Sequence, residues 1–155
     1  MKIEIGQQAP DFTLFDSEKK EIKLSNYKGK KVLLLFVPAA FTGTCTKELC
    51  SIRDGIADYN NVNAQVLGIS CDSVFVLAKW KEQEGFNFPL LSDYNKTVSA
   101  QYGVAYEKDA FVFGMFGHSR RSAFVIDENG VVKYAEVLAS AGDLPNFEAI
   151  NAVLK

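Results

Sequence analysis

Apolar residues fall into short dense runs separated by longer stretches of helical spacing. Lys31 to Val37 (KVLLLFV) and Ala64 to Ser70 (AQVLGIS) are nearly uninterrupted apolar runs, the pattern of strands buried on both faces. Thr13 to Phe15 reads as a short strand. Arg121 to Asp127 and Val131 to Val137 read as two strands joined by Glu128-Asn129-Gly130, and Asn-Gly is a strong hairpin signal. Between these runs the period changes. Leu49, Ile52, Ile56 and Tyr59 recur at helical spacing and predict a helix over about Thr44 to Tyr59. Asp72-Ser73 is placed to cap a second helix that runs to about Glu84 and stops at Gly85. Phe88 to Leu91 predicts a short extended piece. Thr97 to Tyr102 predicts a short helix ended by Gly103, and the tail from Leu144 predicts a helix with Phe147, Ile150 and Leu154 on one face.

The order is βαβα, then a hairpin, then α. It predicts an α/β protein of thioredoxin-like fold, a central mixed sheet flanked by helices on both sides. The 155 residues suffice for one domain with a real core, and no repeat or linker divides them. With 48% hydrophobic residues and a formal charge of −2, the composition argues against disorder and against nucleic-acid binding. The lysines at 19, 20, 23 and from Lys28 to Lys31 read as a solvated face. No apolar run approaches the roughly 20 residues that a bilayer demands, and the start of the chain lacks a signal-peptide core, so a cytoplasmic protein is expected. Three cysteines in such a protein suggest catalysis, redox chemistry or simple burial rather than a disulfide framework.

Chemistry concentrates in Pro38-Ala-Ala-Phe-Thr42-Gly-Thr-Cys45-Thr-Lys-Glu48-Leu-Cys50. It joins a buried strand to a helix and puts Cys45 in the first turn. There, unpaired N–H groups and the helix dipole favour a thiolate. Cys45 shares a stripe with Leu49, Ile52, Ile56 and Tyr59, so its thiol faces the sheet, with Glu48 beside it. Cys50 lies five residues on. In an intact helix the two Cα atoms are roughly 8–9 Å apart, beyond the limit of about 7 Å for a disulfide. A redox pair would therefore require the first turns to unwind, and Gly43 and the threonines at 42, 44 and 46 are poor helix formers. Plainer readings exist: Cys45 as a small hydrophobe, Thr42 as a helix cap, Pro38 as a strand end, Glu48 as an acid favoured by the dipole, Cys71 as a structural residue. His118, the sole histidine, sits in an aromatic, Gly-rich loop and makes a poor hydrolase base. The cysteines lack the paired spacings of a zinc site.

Pro38-x-x-x-Thr42-x-x-Cys45 resembles the PxxxTxxC signature of the peroxiredoxins. Gly6-Gln-Gln-Ala-Pro10-Asp-Phe, Ile69-Ser-Cys-Asp-Ser73, Phe88-Pro-Leu-Leu-Ser-Asp93 and Arg121-Ser-Ala-Phe-Val-Ile-Asp127 match that family in order, from about Ile5 to Val153. The Phe-Thr-Gly-x-Cys-x-x-Glu-Leu stretch is similar to the alkyl hydroperoxide reductase E type, which uses one cysteine. The Cys-Thr-x-Glu-x-Cys stretch with Arg53-Asp54 is similar to the bacterioferritin-comigratory (Q) type, with a resolving cysteine at the place of Cys50. The resemblance implies a peroxidase of hydrogen peroxide and organic hydroperoxides without cofactor or metal. Cys45 would be the peroxidatic nucleophile and Cys50 the resolving thiol. Thr42 would hydrogen-bond the thiolate and the peroxide, and Pro38 would keep water off the sulfur. Arg121, aligned with the family's arginine before the strand, would hold thiolate and peroxide, with Arg120 solvated. Glu48 would orient that arginine.

Oxidation would give a sulfenic acid at Cys45, then a Cys45–Cys50 disulfide reset by a thioredoxin-like or other dithiol reductant. The alternatives are resolution by an external thiol and a non-enzymatic peroxide sensor or holdase. A disulfide reductase fits less well, since it usually needs Cys-x-x-Cys. The aromatic segment from Phe111 to His118 departs most from the Q-type pattern. It is read as a homodimer contact.

Overall fold

A computed structural model describes residues 2–107 and 112–155. Among these residues, seven strands form one sheet in the order β2-β1-β5-β4-β3-β6-β7. They are β1 (Thr13–Asp16), β2 (Glu21–Lys23), β3 (Lys31–Phe36), β4 (Ala64–Ser70), β5 (Leu90–Ser92), β6 (Ser122–Ile126) and β7 (Val132–Val137). The helices are α1 (Gly43–Asp54), α2 (Ile56–Asn61), α3 (Val74–Glu84), α4 (Thr97–Gln101) and α5 (Phe147–Leu154). The sheet is mixed, as the element order predicts. β3 and β5 run parallel to β4, while β6 runs antiparallel to β3 and pairs with β7 in the expected hairpin.

β3 lies at the centre because both of its faces are apolar. Leu33 and Leu35 enter one core with Leu49, Ile52, Trp80 and Ile150, from α1, α3 and α5. Val32, Leu34 and Phe36 enter the other, with Leu67, Tyr102, Phe124 and Ile126. The period-2 alternation of a strand thus serves two layers at once. The tail helix buries Ile150 and Leu154, with Phe147 packed against the same core.

Three expectations need correction. The helix from Thr44 to Tyr59 is two helices broken at Gly55, whose N–H still donates to Ser51 O (3.1 Å). Glycine costs a helix interior about 1 kcal/mol against alanine. Ile56 and Tyr59 continue the apolar stripe across the break, so periodicity alone hides it. β2 was not predicted, because Glu21-Ile22-Lys23 is too short and polar to show a period. Lys31 is not simply solvated: its Nζ donates to Leu154 O (2.8 Å) and Val62 O (3.4 Å), tying α5 and the end of α2 to the start of β3. No helix among the described residues is long and apolar enough to cross a membrane.

Candidate active site

β3 and β4 are parallel neighbours and end on the same side of the sheet. The chain leaves β3 at Val37, whose N–H still pairs with Ile69 O (2.9 Å), and turns through Pro38 to Thr42 into α1. This turn needs a left-handed residue, and Phe41 supplies it with φ +63°, an uncommon conformation for an aromatic side chain. Two hydrogen bonds hold it. Ala40 N–H donates to Asp72 Oδ2 (2.7 Å), just past the end of β4. The Thr42 hydroxyl donates to Ala39 O (2.7 Å). Thr42 therefore occupies the N-cap position without capping through its side chain; only its carbonyl receives the helix, from Thr46 N–H (3.0 Å). Trp80 Nε1 donates to Thr46 Oγ1 (3.2 Å), fastening the first turn of α1 to α3.

Cys45 faces the sheet as its stripe requires, with 1% of its surface exposed. Arg121, immediately before β6, is equally buried. Its Nη2 donates to Cys45 Sγ (3.2 Å) and to Ala141 O (2.9 Å), and its Nη1 to Glu48 Oε1 (2.7 Å). Among the described residues, the buried side-chain nitrogen and oxygen atoms without a hydrogen-bond partner are Glu48 Oε2 and Arg121 Nε. Burial pushes the Glu48 carboxyl up to about 7, against the pull of Arg121. Burial disfavours the Arg121 cation, but the Cys45 sulfur and Glu48 outweigh it and raise its pKa. Pro38, Thr42, Gly43, Thr44, Cys45, Arg121, Ala141 and Gly142 line one cleft of about 270 Å³. Five of the six predicted site residues are thus brought together: Pro38, Thr42, Cys45 and Arg121 in the cleft lining, Glu48 behind Arg121. A larger cleft, about 600 Å³ between Phe15, Phe75 and Tyr94, contains no thiol.

The sixth, Cys50, is not in that lining. It lies on the part of α1 that meets the end of α3, where its Sγ donates to Glu84 Oε1 (3.7 Å). Burial pushes its thiol up; Arg53 opposes this and Glu84 adds to it. Arg53 also donates to Glu84 O, and Asn87 Nδ2 donates to Arg53 O (3.2 Å). Cys45, Cys50 and Cys71 are all free thiols. Cys71 is buried beside Ser99 Oγ (3.6 Å) and Ser119 Oγ (3.7 Å), in keeping with a structural residue. Arg120 does not enter the cleft; its guanidinium lies over the Tyr106 ring at 4.6 Å rather than standing free in solvent. His118 is half-buried, with Nδ1 3.4 Å from Phe116 O, and does not line the cleft. Phe111 lies outside the described residues.

Sequence reasoning missed Asp72, Trp80 and the Ala141 carbonyl. Asp72 was read with Ser73 as a helix cap; Ser73 alone takes that role, accepting from Val76 N–H (3.3 Å). A carbonyl from the loop after β7 has no side-chain signature to find.

The model of the AhpC/TSA family matches residues 5–135. The peroxiredoxin bcp of Coxiella burnetii is 44% identical over 132 residues, which are 85% of this chain and 87% of that protein. Alkyl hydroperoxide reductase E of Mycobacterium tuberculosis is 39% identical over 138 residues, covering 87% and 86%. The crystal structure of peroxidoxin BcpB from Mycobacterium tuberculosis superposes with a TM-score of 0.84 at 35% identity, over 97% of this chain and 95% of that one.

Proposed function

The chain belongs to the AhpC/TSA family of peroxiredoxins, enzymes of thiol-dependent peroxide reduction, and from that premise we propose that Cys45 is its peroxidatic nucleophile. The observation that carries this reading is the Arg121 Nη2 to Cys45 Sγ contact of 3.2 Å at the wall of the cleft. A thiolate is the form that attacks an O–O bond, and the buried guanidinium in contact with the sulfur is placed to hold that charge. Cys45 lies in the first turn of α1, where the helix dipole adds to the same effect.

The sulfur attacks one peroxide oxygen and negative charge moves to the other. Arg121 and the backbone N–H groups at the start of α1 are fixed in place before the reaction, so they stabilise that charge without reorganising. Thr42 orients the peroxide, its hydroxyl aligned by Ala39 O. Pro38 walls the cleft against water. Glu48 and Ala141 O fix the guanidinium plane from two sides. The product is a sulfenic acid at Cys45.

Cys50 then condenses with it to a disulfide, which a thioredoxin-like dithiol reduces in the cytoplasm. Both thiols start within one intact helix, so α1 must open between its first turn and Cys50. The whole chain is read as one catalytic domain. Phe113, 94% exposed, and Phe116 mark the face assigned to a homodimer contact; sedimentation at high micromolar concentration tests it, and a strictly monomeric mass rejects it.

Wild type, Cys45→Ser, Cys50→Ser and Cys71→Ser are to be compared for peroxide consumption coupled to thioredoxin, with peptide mapping of the disulfide. Cys45→Ser should be inactive. Cys50→Ser should reduce one equivalent of peroxide and then stall, and Cys71→Ser should behave as wild type. Sustained turnover of Cys50→Ser with thioredoxin would instead assign resolution to an external thiol.

A further inference from the structure

The reading above uses one carboxyl oxygen of Glu48 and leaves the other idle. Oε1 accepts from Arg121 Nη1 at 2.7 Å. Oε2 is shut off from solvent with no hydrogen-bond partner. Glu48 sits on α1 one turn beyond Cys45, and the guanidinium of Arg121 lies between them, 3.2 Å from the sulfur. One buried cation thus faces two acids. From the chain before β6, Tyr106 is within electrostatic reach of Arg121 and Cys45; Arg120 stacks on Tyr106, and the Tyr106 hydroxyl is pushed up by burial.

A carboxylate buried with a bare oxygen is costly, and one guanidinium balances one anion rather than two. With Cys45 as the thiolate, the second negative charge is the expensive one. With Cys45 converted to a neutral sulfenic acid, Arg121 is left facing Glu48 alone. We infer that Glu48 holds a proton while Cys45 is a thiolate and yields it when Cys45 is oxidised. The cluster then carries the same net charge before and after the reaction. This inference rests on the peroxidase reading of Cys45. Burial sets the carboxyl near neutrality, where such an exchange is easiest.

The step balances. The sulfur lone pair attacks the terminal peroxide oxygen, an S–O bond forms and the O–O bond breaks. The leaving oxygen departs with the bonding pair as alkoxide or hydroxide and is neutralised by the proton that leaves Glu48. Thiolate, carboxylic acid and hydroperoxide become sulfenic acid, carboxylate and alcohol or water. Sulfur loses two electrons and the peroxide gains them.

The test is proton counting. Reduced Cys50→Ser protein, in which oxidation stops at the sulfenic acid, is mixed with one equivalent of hydrogen peroxide in weak buffer with a pH indicator. At about pH 7.5, where the neighbouring thiolate keeps Glu48 protonated and its loss lets the carboxyl ionise, it should take up far less than one proton from solution, because Glu48 supplies the rest. The double variant Cys50→Ser/Glu48→Gln should take up close to one per sulfenic acid formed. At about pH 9, where Glu48 is already ionised, both should take up one. In the infrared difference spectrum, oxidation of the Cys50→Ser protein should bleach a protonated-carboxyl carbonyl band that shifts in D2O. That second readout needs no change at position 48, and so stands even if the Gln variant fails to fold. Equal proton uptake by the two proteins at the lower pH, or no carboxyl bleach, overturns the inference while leaving the peroxidase reading intact. Failure of the Cys50→Ser protein to consume peroxide at all would instead remove the peroxidase reading itself.

Discussion

The carboxylate of Asp72 accepts the amide of Ala40 at 2.7 Å, joining the end of β4 to the turn that delivers Thr42 and Cys45. Ser70 Oγ donates to the same oxygen of Asp72. The turn contains the left-handed Phe41, so something outside it must hold it in that conformation. Asp72→Ala should lower the rate of peroxide reduction about fivefold, the equivalent of one lost hydrogen bond of about 1 kcal/mol. Asp72→Asn keeps an acceptor oxygen and should recover most of that loss. Stopped-flow rates for the two variants, with melting temperatures as control, check the prediction. An equal loss in both would mean that charge, rather than the hydrogen bond, is what the turn requires.

Arg120 and Arg121 are adjacent in the chain and opposite in role. Arg121 touches Cys45, Glu48 and the Ala141 carbonyl, whereas Arg120 covers the Tyr106 ring. Arg121→Ala removes a positioned donor and should slow peroxide reduction on the order of 10²–10³-fold. It also leaves Glu48 buried without its partner, so the melting temperature should fall as well. Arg120→Ala should change the rate less than about fivefold, since a half-exposed cation–π contact is worth roughly 0.5–1 kcal/mol. Second-order rate constants for both variants decide the assignment.

The opening of α1 proposed for disulfide formation would work against a set of contacts at the end of the helix. Asn87 Nδ2 holds Arg53 O, Arg53 holds Glu84 O, and Cys50 leans on the Glu84 carboxylate. Asn87→Ala removes one member of that set without touching the cleft. The helix should open more often, by a factor of about five for a contact of about 1 kcal/mol. Disulfide formation after a single peroxide pulse should accelerate by about that factor, and less Cys45 should be overoxidised at high peroxide. Quenched-flow alkylation with mass spectrometry measures both.

Stability should also report on Glu48. Its carboxyl is raised from a model-compound value of 4.5 to about 7 by burial, the Arg121 interaction only partly offsetting this. The folded protein therefore binds more protons than the unfolded chain across that interval. The corresponding stability is fully present below about pH 4.5 and is lost as pH rises through about 7. The whole effect is on the order of a few kcal/mol. Glu48→Gln keeps an oxygen for Arg121 Nη1 and removes the titration. Urea midpoints measured across this range should therefore fall less steeply with pH in Glu48→Gln than in wild type.

Much of the architecture was legible because each central strand announces itself. A run such as KVLLLFV admits no exposed face, and Asn129-Gly130 fixes a turn by backbone preference alone. The break at Gly55 was not legible, since Ile56 and Tyr59 keep the apolar spacing on either side of it. At the site, Pro38, Thr42, Cys45 and Glu48 lie within eleven positions, and a single strand-to-helix junction assembles them. Arg121 was reachable only through its resemblance to a known pattern, because nothing local marks it over Arg120. Asp72 and the Ala141 carbonyl act through the tertiary path of the chain: one reaches back from the next strand to an amide, the other offers a backbone atom whose use no residue type reveals.

The register of β6 against β3 pairs Ser122 with Phe36, and so sets the guanidinium one residue beyond that pairing. Cys45 and Arg121 are 76 positions apart along the polypeptide. A nascent chain emerging from the ribosome therefore contains this sulfur well before the guanidinium proposed to activate it has been synthesised. Until the later strand zips into place, the thiol lacks that contact and should be no more reactive than an ordinary cysteine. On the proposed assignment, sensitivity to oxidants should therefore arrive only once the sheet is complete.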